Sequence, residues 1–371
     1  MKTHWFATLV VGAAGCALLV WKTASMSAPA GAVAAPSPVV RPPAVMQPVA
    51  PSGYEEVTRK LEAALNEARH FSEGEAVPVY KVTPVDASRV RGEAAGLANQ
   101  VLAQAGGGKP FSAAELRAED DYLTARNDKG IKLQAYARSG FVSVMNQDQV
   151  FHGRCAALSD SQAADLARKF VTANKLVRLL PNEKLTVAEV KHVRSRAVPV
   201  KGGQPGEPVL NSTVAILGRE LDGKPVIGPG GRVVVFLSGA GQVVGLQRNW
   251  REIEAAPAEK VTAIGPAQAA KRVAAELASR YGRTPPAAQT LRVVRAESGY
   301  FAAAKHQAQG FLQPAYAMHL LVGDGKGAEA AEVIVVSGAQ RTLEPLVPTP
   351  AEAKGMKRPA ALPRPTGSPD D

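Results

Sequence analysis

Six histidines, His4, His70, His152, His192, His306 and His319, are the residues of this chain with the widest chemical range. None forms H-E-x-x-H or another close pair that would hold a zinc ion locally. Adjacent acids stand at Glu119-Asp120-Asp121 and Glu55-Glu56. A catalytic carboxylate pair needs both groups facing one pocket, and strand neighbours point to opposite faces, so these read as solvated charge. Asp324-Gly325-Lys326-Gly327 lacks the ladder of oxygen ligands that a calcium loop needs and reads as a hairpin tip. Ser238 and Ser337 precede glycines at strand ends, without the helix that a nucleophile elbow requires. The sequence therefore predicts no catalytic group, metal or cofactor.

Two glycine clusters invite a phosphate reading and fail it. Gly239-Ala240-Gly241-Gln242-Val243-Val244-Gly245 nearly fits G-x-G-x-x-G, but a pyrophosphate needs a helix N-terminus at that point, and Val-Val-Gly-Leu-Gln is a β sequence. Gly228-Pro229-Gly230-Gly231 has no Lys-Ser or Lys-Thr after it, and its proline removes a donor. Both are turns. The basic residues Arg219, Lys224, Arg232, Arg248 and Arg251, beside Trp250, read as a basic edge on a central sheet where an anionic partner docks. The competing reading is a solvated face that keeps the edge from pairing.

The elements that position these residues follow from periodicity. Residues 213–253 contain two hairpins in succession: Val214, Ile216 and Leu221 precede an Asp222-Gly223 turn, and Val233 to Leu237 precede Gly239-Ala240-Gly241 before Val243 to Leu246. Upstream, Val57, Leu61, Ala64, Leu65 and Ala68 have helical spacing. A strand at 77–82, a helix from Asp86 and three strands between Asp121 and Asn146 complete a first unit, 54–155. A second unit, 156–260, opens with a helix from Asp160 and a strand at 185–193. A third, 261–348, has a helix at 267–281, then strands at 291–296, 314–322 and 333–336. Gln162-Ala163-Ala164 and Ser238-Gly239-Ala240 return as Gln268-Ala269-Ala270 and Ser337-Gly338-Ala339. That spacing suggests duplicated α+β units, each a helix packed on an antiparallel sheet.

Ahead of these units, Lys2, an apolar run from Trp5 to Trp21 and Lys22 have the layout of a signal peptide or membrane anchor at 1–30, with small-x-small cleavage sites after Ala30 and Ala34. A lipoprotein reading at Cys16 lacks the usual leucine. Residues 31–53 form a Pro/Ala-rich spacer, and 349–371 a disordered tail. With the leader removed, Cys155 is the remaining cysteine and no internal disulfide forms. An excess of 44 Lys and Arg over 33 Asp and Glu, a net charge of +11, favours acidic surfaces such as phospholipid headgroups or anionic wall polymers. An exported protein meets no nucleic acid, and it touches a membrane only through an uncleaved leader.

The helix from Gly265 to Tyr281, the segment Gln313-Pro314-Ala315-Tyr316 and Val333-Ile334-Val335-Val336-Ser337-Gly338-Ala339 together resemble the PepSY domain and the propeptide-like domains of secreted peptidase precursors and YcdB-type envelope proteins. Gly223-Lys224-Pro225-Val226-Ile227-Gly228 is similar to the Gly-x-Pro-Val segment of such propeptides. The resemblance covers about 155–348. Ser238 and Ser337 stand where the family places an acidic residue, and no peptidase domain follows. It implies a free-standing inhibitory, chaperone-like or adaptor module in the envelope. The expected function is thus non-catalytic binding of another envelope protein, a peptidase in one version, through a sheet edge such as Val333 to Val336, with Val335 central. Two other readings are a hydrolase gathering two or more of His152, His192, His319, Asp121 and Glu220 in one pocket, and a scaffold for anionic polymer or lipid.

Overall fold

The computed structural model describes residues 53–346 apart from 69, 105–106, 120, 197–203, 205, 283–289 and 324–328. The expected leader, the spacer up to residue 52, the tail and the tip at 324–327 lie outside the described residues. The protein is α+β and mostly sheet.

Two cores organise it. The first lies beneath α2 (Ala87–Leu102) and α4 (Asp160–Ala173). These helices cover a sheet of β3 (Tyr122–Arg126), β4 (Lys132–Tyr136), β5 (Phe141–Met145), β7 (Val209–Leu221), β9 (Arg232–Leu237) and β10 (Val243–Asn249). Ser159 caps α4 reciprocally with Gln162, satisfying two N–H groups that the first turn leaves free. Val101, Leu133, Val144, Phe170, Leu217 and Val235 fill this core.

The second core lies between α1 (Glu55–Glu67), α5 (Pro266–Tyr281) and the strands β12 (Leu291–Phe301), β14 (Pro314–Gly323) and β15 (Glu329–Ser337). Helix α1 buries Val57, Leu61 and Leu65, a one-sided stripe, and α5 meets it with alanines at 269, 270 and 274 that let the two helices approach closely.

These cores divide the chain differently from the three expected units. Helix α1 and β1 (Ala76–Lys81), assigned by sequence to the first unit, belong to the second core. Strand β1 pairs with β11 (Glu259–Thr262) and β13 (Phe311–Leu312) in a small separate sheet, while β2 (Arg117–Glu119) to β5 extend the large one. The apolar stripe of α1 finds its complement in α5, about 200 residues downstream by sequence, which local periodicity does not report.

The large sheet runs β15-β14-β12-β8-β7-β9-β10-β5-β4-β3-β2, where β8 is Lys224–Ile227, and β6 (Glu183–Ser195) pairs on β7. Its halves meet where β8 and β12 lie parallel, Val226 beside Tyr300 and Ile227 beside Phe301. The expected turn at 228–231 does more than reverse the chain. A Cβ on Gly230 would stand 2.7 Å from the Ala303 carbonyl oxygen, so the glycine lets this loop rest on the end of β12. Gly239-Ala240-Gly241 closes as a turn, with Gly241 N–H donating to Ser238 O, and leads into β10.

Candidate functional site

Strand β15 reads Glu-Ala-Ala-Glu-Val-Ile-Val-Val-Ser, and its β-branched run alternates cleanly. Ile334 and Val336 enter the second core; Val333, 51% exposed, and half-buried Val335 face the other way. The strand pairs with β14 without a slip from Glu329 opposite Gly323 to Ser337 opposite Ala315.

Which of its backbone groups are committed follows from its end. Gly338 N–H donates to Pro314 O at 2.8 Å, toward β14, while Ser337 O points the other way and accepts from Arg272 of α5 at 2.8 Å. Backbone direction alternates along a strand. Val336, Ile334 and Glu332 therefore bond β14, and Ala331, Val333 and Val335 turn their N–H and C=O groups outward. Among the described residues no strand pairs that outer side. The strand's acids are already matched: Glu332 takes Arg280 at 2.8 Å and the Tyr281 hydroxyl at 3.0 Å, and Glu329 lies 3.3 Å from Arg292.

Other edges are blunted. β6 carries Lys184, Lys191 and Arg194 and slips register between Val187 and Glu189 and again between Val193 and Arg194. β2 has three exposed residues. Lysines, bulges and shortness are the usual protections of an edge, and β15 has none of them.

The expected basic edge is a correction. Arg219, Trp250 and Arg251 are buried. The Arg219 guanidinium grips Glu183 through Nε at 2.6 Å and through Nη2, donates to Arg251 O at 2.7 Å, and lies 4.8 Å over the Trp250 ring. Arg251 donates to the carbonyls of Ala303, Ala304 and Gln307 at 2.7 to 2.9 Å. Arg248 reaches Leu176 O and Gly140 O. Lys224 sits 5.1 Å over the Phe71 ring. Half-buried Arg232 adds its charge to the field that lowers the pKa of Glu297. Arg219, Arg248 and Arg251 thus hold backbone carbonyls inside the protein, and a guanidinium spent inside offers a partner nothing.

Next to them, Asp222 at the hairpin turn (φ 51°) accepts from the hydroxyls of Tyr80 at 2.6 Å and Tyr300 at 3.2 Å and from Asn182 at 2.8 Å. Burial, and then the Asp222 carboxylate, push both phenols above their ordinary value; burial pushes Tyr316 up to about 12. A phenol with a raised folded pKa stabilises the fold fully below the unfolded value near 10, and that stability is lost as pH rises through the folded value. Melting temperature is therefore expected to fall above pH 10, with tyrosinate absorbance rising together with unfolding. Ionisation of Tyr80, Tyr300 or Tyr316 near pH 10 in a still-folded chain would contradict this, and Tyr300→Phe should soften the fall.

The residues of the hydrolase reading have separate surroundings. His192 lies 3.4 Å from Asp160 and 3.3 Å from Thr213; Glu220 faces Lys184 at 3.7 Å; Asp121 acts on Tyr136, Lys305 and His306; His152 is exposed at the end of the short helix α3 (Gln147–Phe151). His319 meets Glu297 at 3.2 Å, with Arg295 2.6 Å from the same carboxylate. Burial opposes the Glu297 charge, but the bond from His319 and the charge of Arg295 outweigh it and hold the carboxyl below its usual range. Sequence reasoning missed Glu297 because only the β12–β14 register brings it to His319. Among the described residues no three His, Cys, Asp or Glu cluster to hold a metal. Cys155 is half-buried, and burial pushes its thiol up.

No protein family matches the chain, and no curated protein does. Among solved structures, an uncharacterised protein from Eubacterium rectale aligns with a TM-score of 0.47 at 9% identity, over 75% of this chain and 89% of that one.

Proposed function

We propose that this is an exported, non-catalytic envelope protein that binds another envelope protein by strand addition at the outer edge of β15. Inhibiting or assisting a peptidase is the version that the PepSY-like reading favours. What carries the proposal is a comparison within the chain. With the short strands β8 and β13 left out, the runs α4-β6-β7-β9 and α5-β12-β14-β15 have the same order, and in both each strand pairs with the next, β6 with β7 and β7 with β9, β12 with β14 and β14 with β15. Ala163 and Ala269 of the matching Gln-Ala-Ala triplets are both buried.

After Ser238-Gly239-Ala240 the chain returns as β10 and pairs antiparallel along β9. After Ser337-Gly338 it leaves instead, Ala339 bridging to Ala263. The place beside β15 is the one that β10 takes beside β9, and strand addition would complete it.

The test is Val335→Pro. Its N–H points away from β14, so the change removes an outward donor and leaves the internal ladder intact. Pull-down from an envelope fraction is expected to lose a specific protein at least tenfold while the melting temperature changes little. Unchanged recovery overturns the reading.

A further inference from the structure

We propose that a second copy of this chain occupies the β15 edge when no other partner does, the two β15 strands pairing antiparallel about a twofold axis at Val333. This rests on the reading of β15 as the docking edge and names an occupant for it.

The argument is one of register. An antiparallel neighbour must present its own outward groups to Ala331, Val333 and Val335. A copy of β15 has its outward groups on those same three residues, so pairing is self-complementary, as an isologous interface requires. Of the registers that keep outward groups facing, three centre on the middle of the strand. Centred on Glu332, the pairing sets Glu332 opposite Glu332, and like charges directly opposed are destabilising. Centred on Ile334, it leaves only Val333 and Val335 paired, since Ala331 would face the Ser337 carbonyl that Arg272 already holds. Centred on Val333, it sets Val333 against Val333 and Ala331 against Val335 on the open face, and Glu332 against Ile334 on the helix face. No charge meets its like, all three free residues are used, and the pairing ends before Glu329 would meet the Ser337 carbonyl that Arg272 holds.

The exposed surface agrees with that centre. Val333 is among the most exposed large apolar residues, and Tyr281, 38% exposed, lies at the same edge through its bond to Glu332. Pairing would cover Val333 with its counterpart and extend one sheet through both copies. An envelope partner then competes with the second copy, so its capture should weaken as the protein is concentrated.

The experiment is sedimentation of the purified chain over a wide concentration range, joined to disulfide mapping in a Cys16→Ser, Cys155→Ser background. A reversible dimer is expected, lost in Val335→Pro and in Val333→Lys with melting temperature maintained. Val333→Cys should crosslink to itself under mild oxidation, since directly opposed residues in a hydrogen-bonded pair stand about 5.5 Å apart at Cα. Val335→Cys should crosslink poorly alone and readily when mixed with Ala331→Cys. A dimer that persists in Val335→Pro, or crosslinks that ignore this register, overturns the proposal. So does a strictly monomeric chain; if Val335→Pro still loses the envelope protein in that case, self-pairing alone has failed and the docking edge stands.

Discussion

Replacing Glu183 with leucine is expected to destabilise the protein by about 3–5 kcal/mol, the usual cost of breaking a buried ion pair by removing one partner. Both side chains are almost fully enclosed, with Glu183 6% and Arg219 2% exposed. The carboxylate does two things at once: it accepts the Arg219 guanidinium on Oε1 and the Leu180 N–H on Oε2 at 2.9 Å. Without it, Arg219 keeps the Arg251 carbonyl and the Trp250 ring, neither of which cancels a charge, and the smaller effect of the Glu252 carboxylate.

Burial already lowers the pKa of Arg219, and Glu183, more than Glu252, is what opposes that. The midpoint of urea unfolding should therefore fall with its slope unchanged. Adding Arg219→Met should recover most of the loss, because apolar replacement of a whole buried pair is often neutral or better. A single variant as stable as the parent would show that solvent reaches the pair. A double variant no better than the single would show that Arg219 matters for its bond to the Arg251 carbonyl and not for its charge.

That pair also marks where the sequence stops being legible. A strand carrying Val and Ile at alternate positions announces a buried face, and β9, β14 and β15 are readable that way. An arginine on a strand looks the same whether its face meets water or a second layer. Arg219, Arg248 and Arg251 therefore look like a basic edge, and the partners that decide otherwise lie 36 residues away for Glu183 and 52 for Ala303. The proposed docking strand is half legible. Val333 to Val336 is plainly a strand, but which of its residues face outward depends on the Gly338 to Pro314 bond, and its lack of a further neighbour among the described residues depends on where the chain goes after Ser337. Likewise the pairing of α1 with α5 rests on matching two faces far apart in sequence, and no window of residues contains both.

Gly299→Ala should be nearly as damaging as the loss of Glu183, for the opposite reason: too much matter instead of too little charge. A Cβ at Gly299 would lie 2.0 Å from the Pro225 carbonyl oxygen and 3.1 Å from the Ile227 side chain. The oxygen belongs to backbone fixed by the Asp222 turn on one side and by the parallel pairing of β8 and β12 on the other. Neither can shift without pulling Tyr300 from Asp222. Overpacking typically costs about 1–3 kcal/mol and more where backbone must move, so a loss near the upper end is expected.

Gly96→Ala is the control: it is exposed in α2 with nothing within 4 Å of its added carbon, and it should gain about 0.5–1 kcal/mol. A Gly299→Ala protein as stable as the parent would mean that the junction of the two half-sheets yields easily. Strand β15 hangs on β14, not on β8, so below its lowered melting temperature this variant should still dock at β15. If docking were lost while the fold persisted, the edge would depend on the first half-sheet holding the second in place.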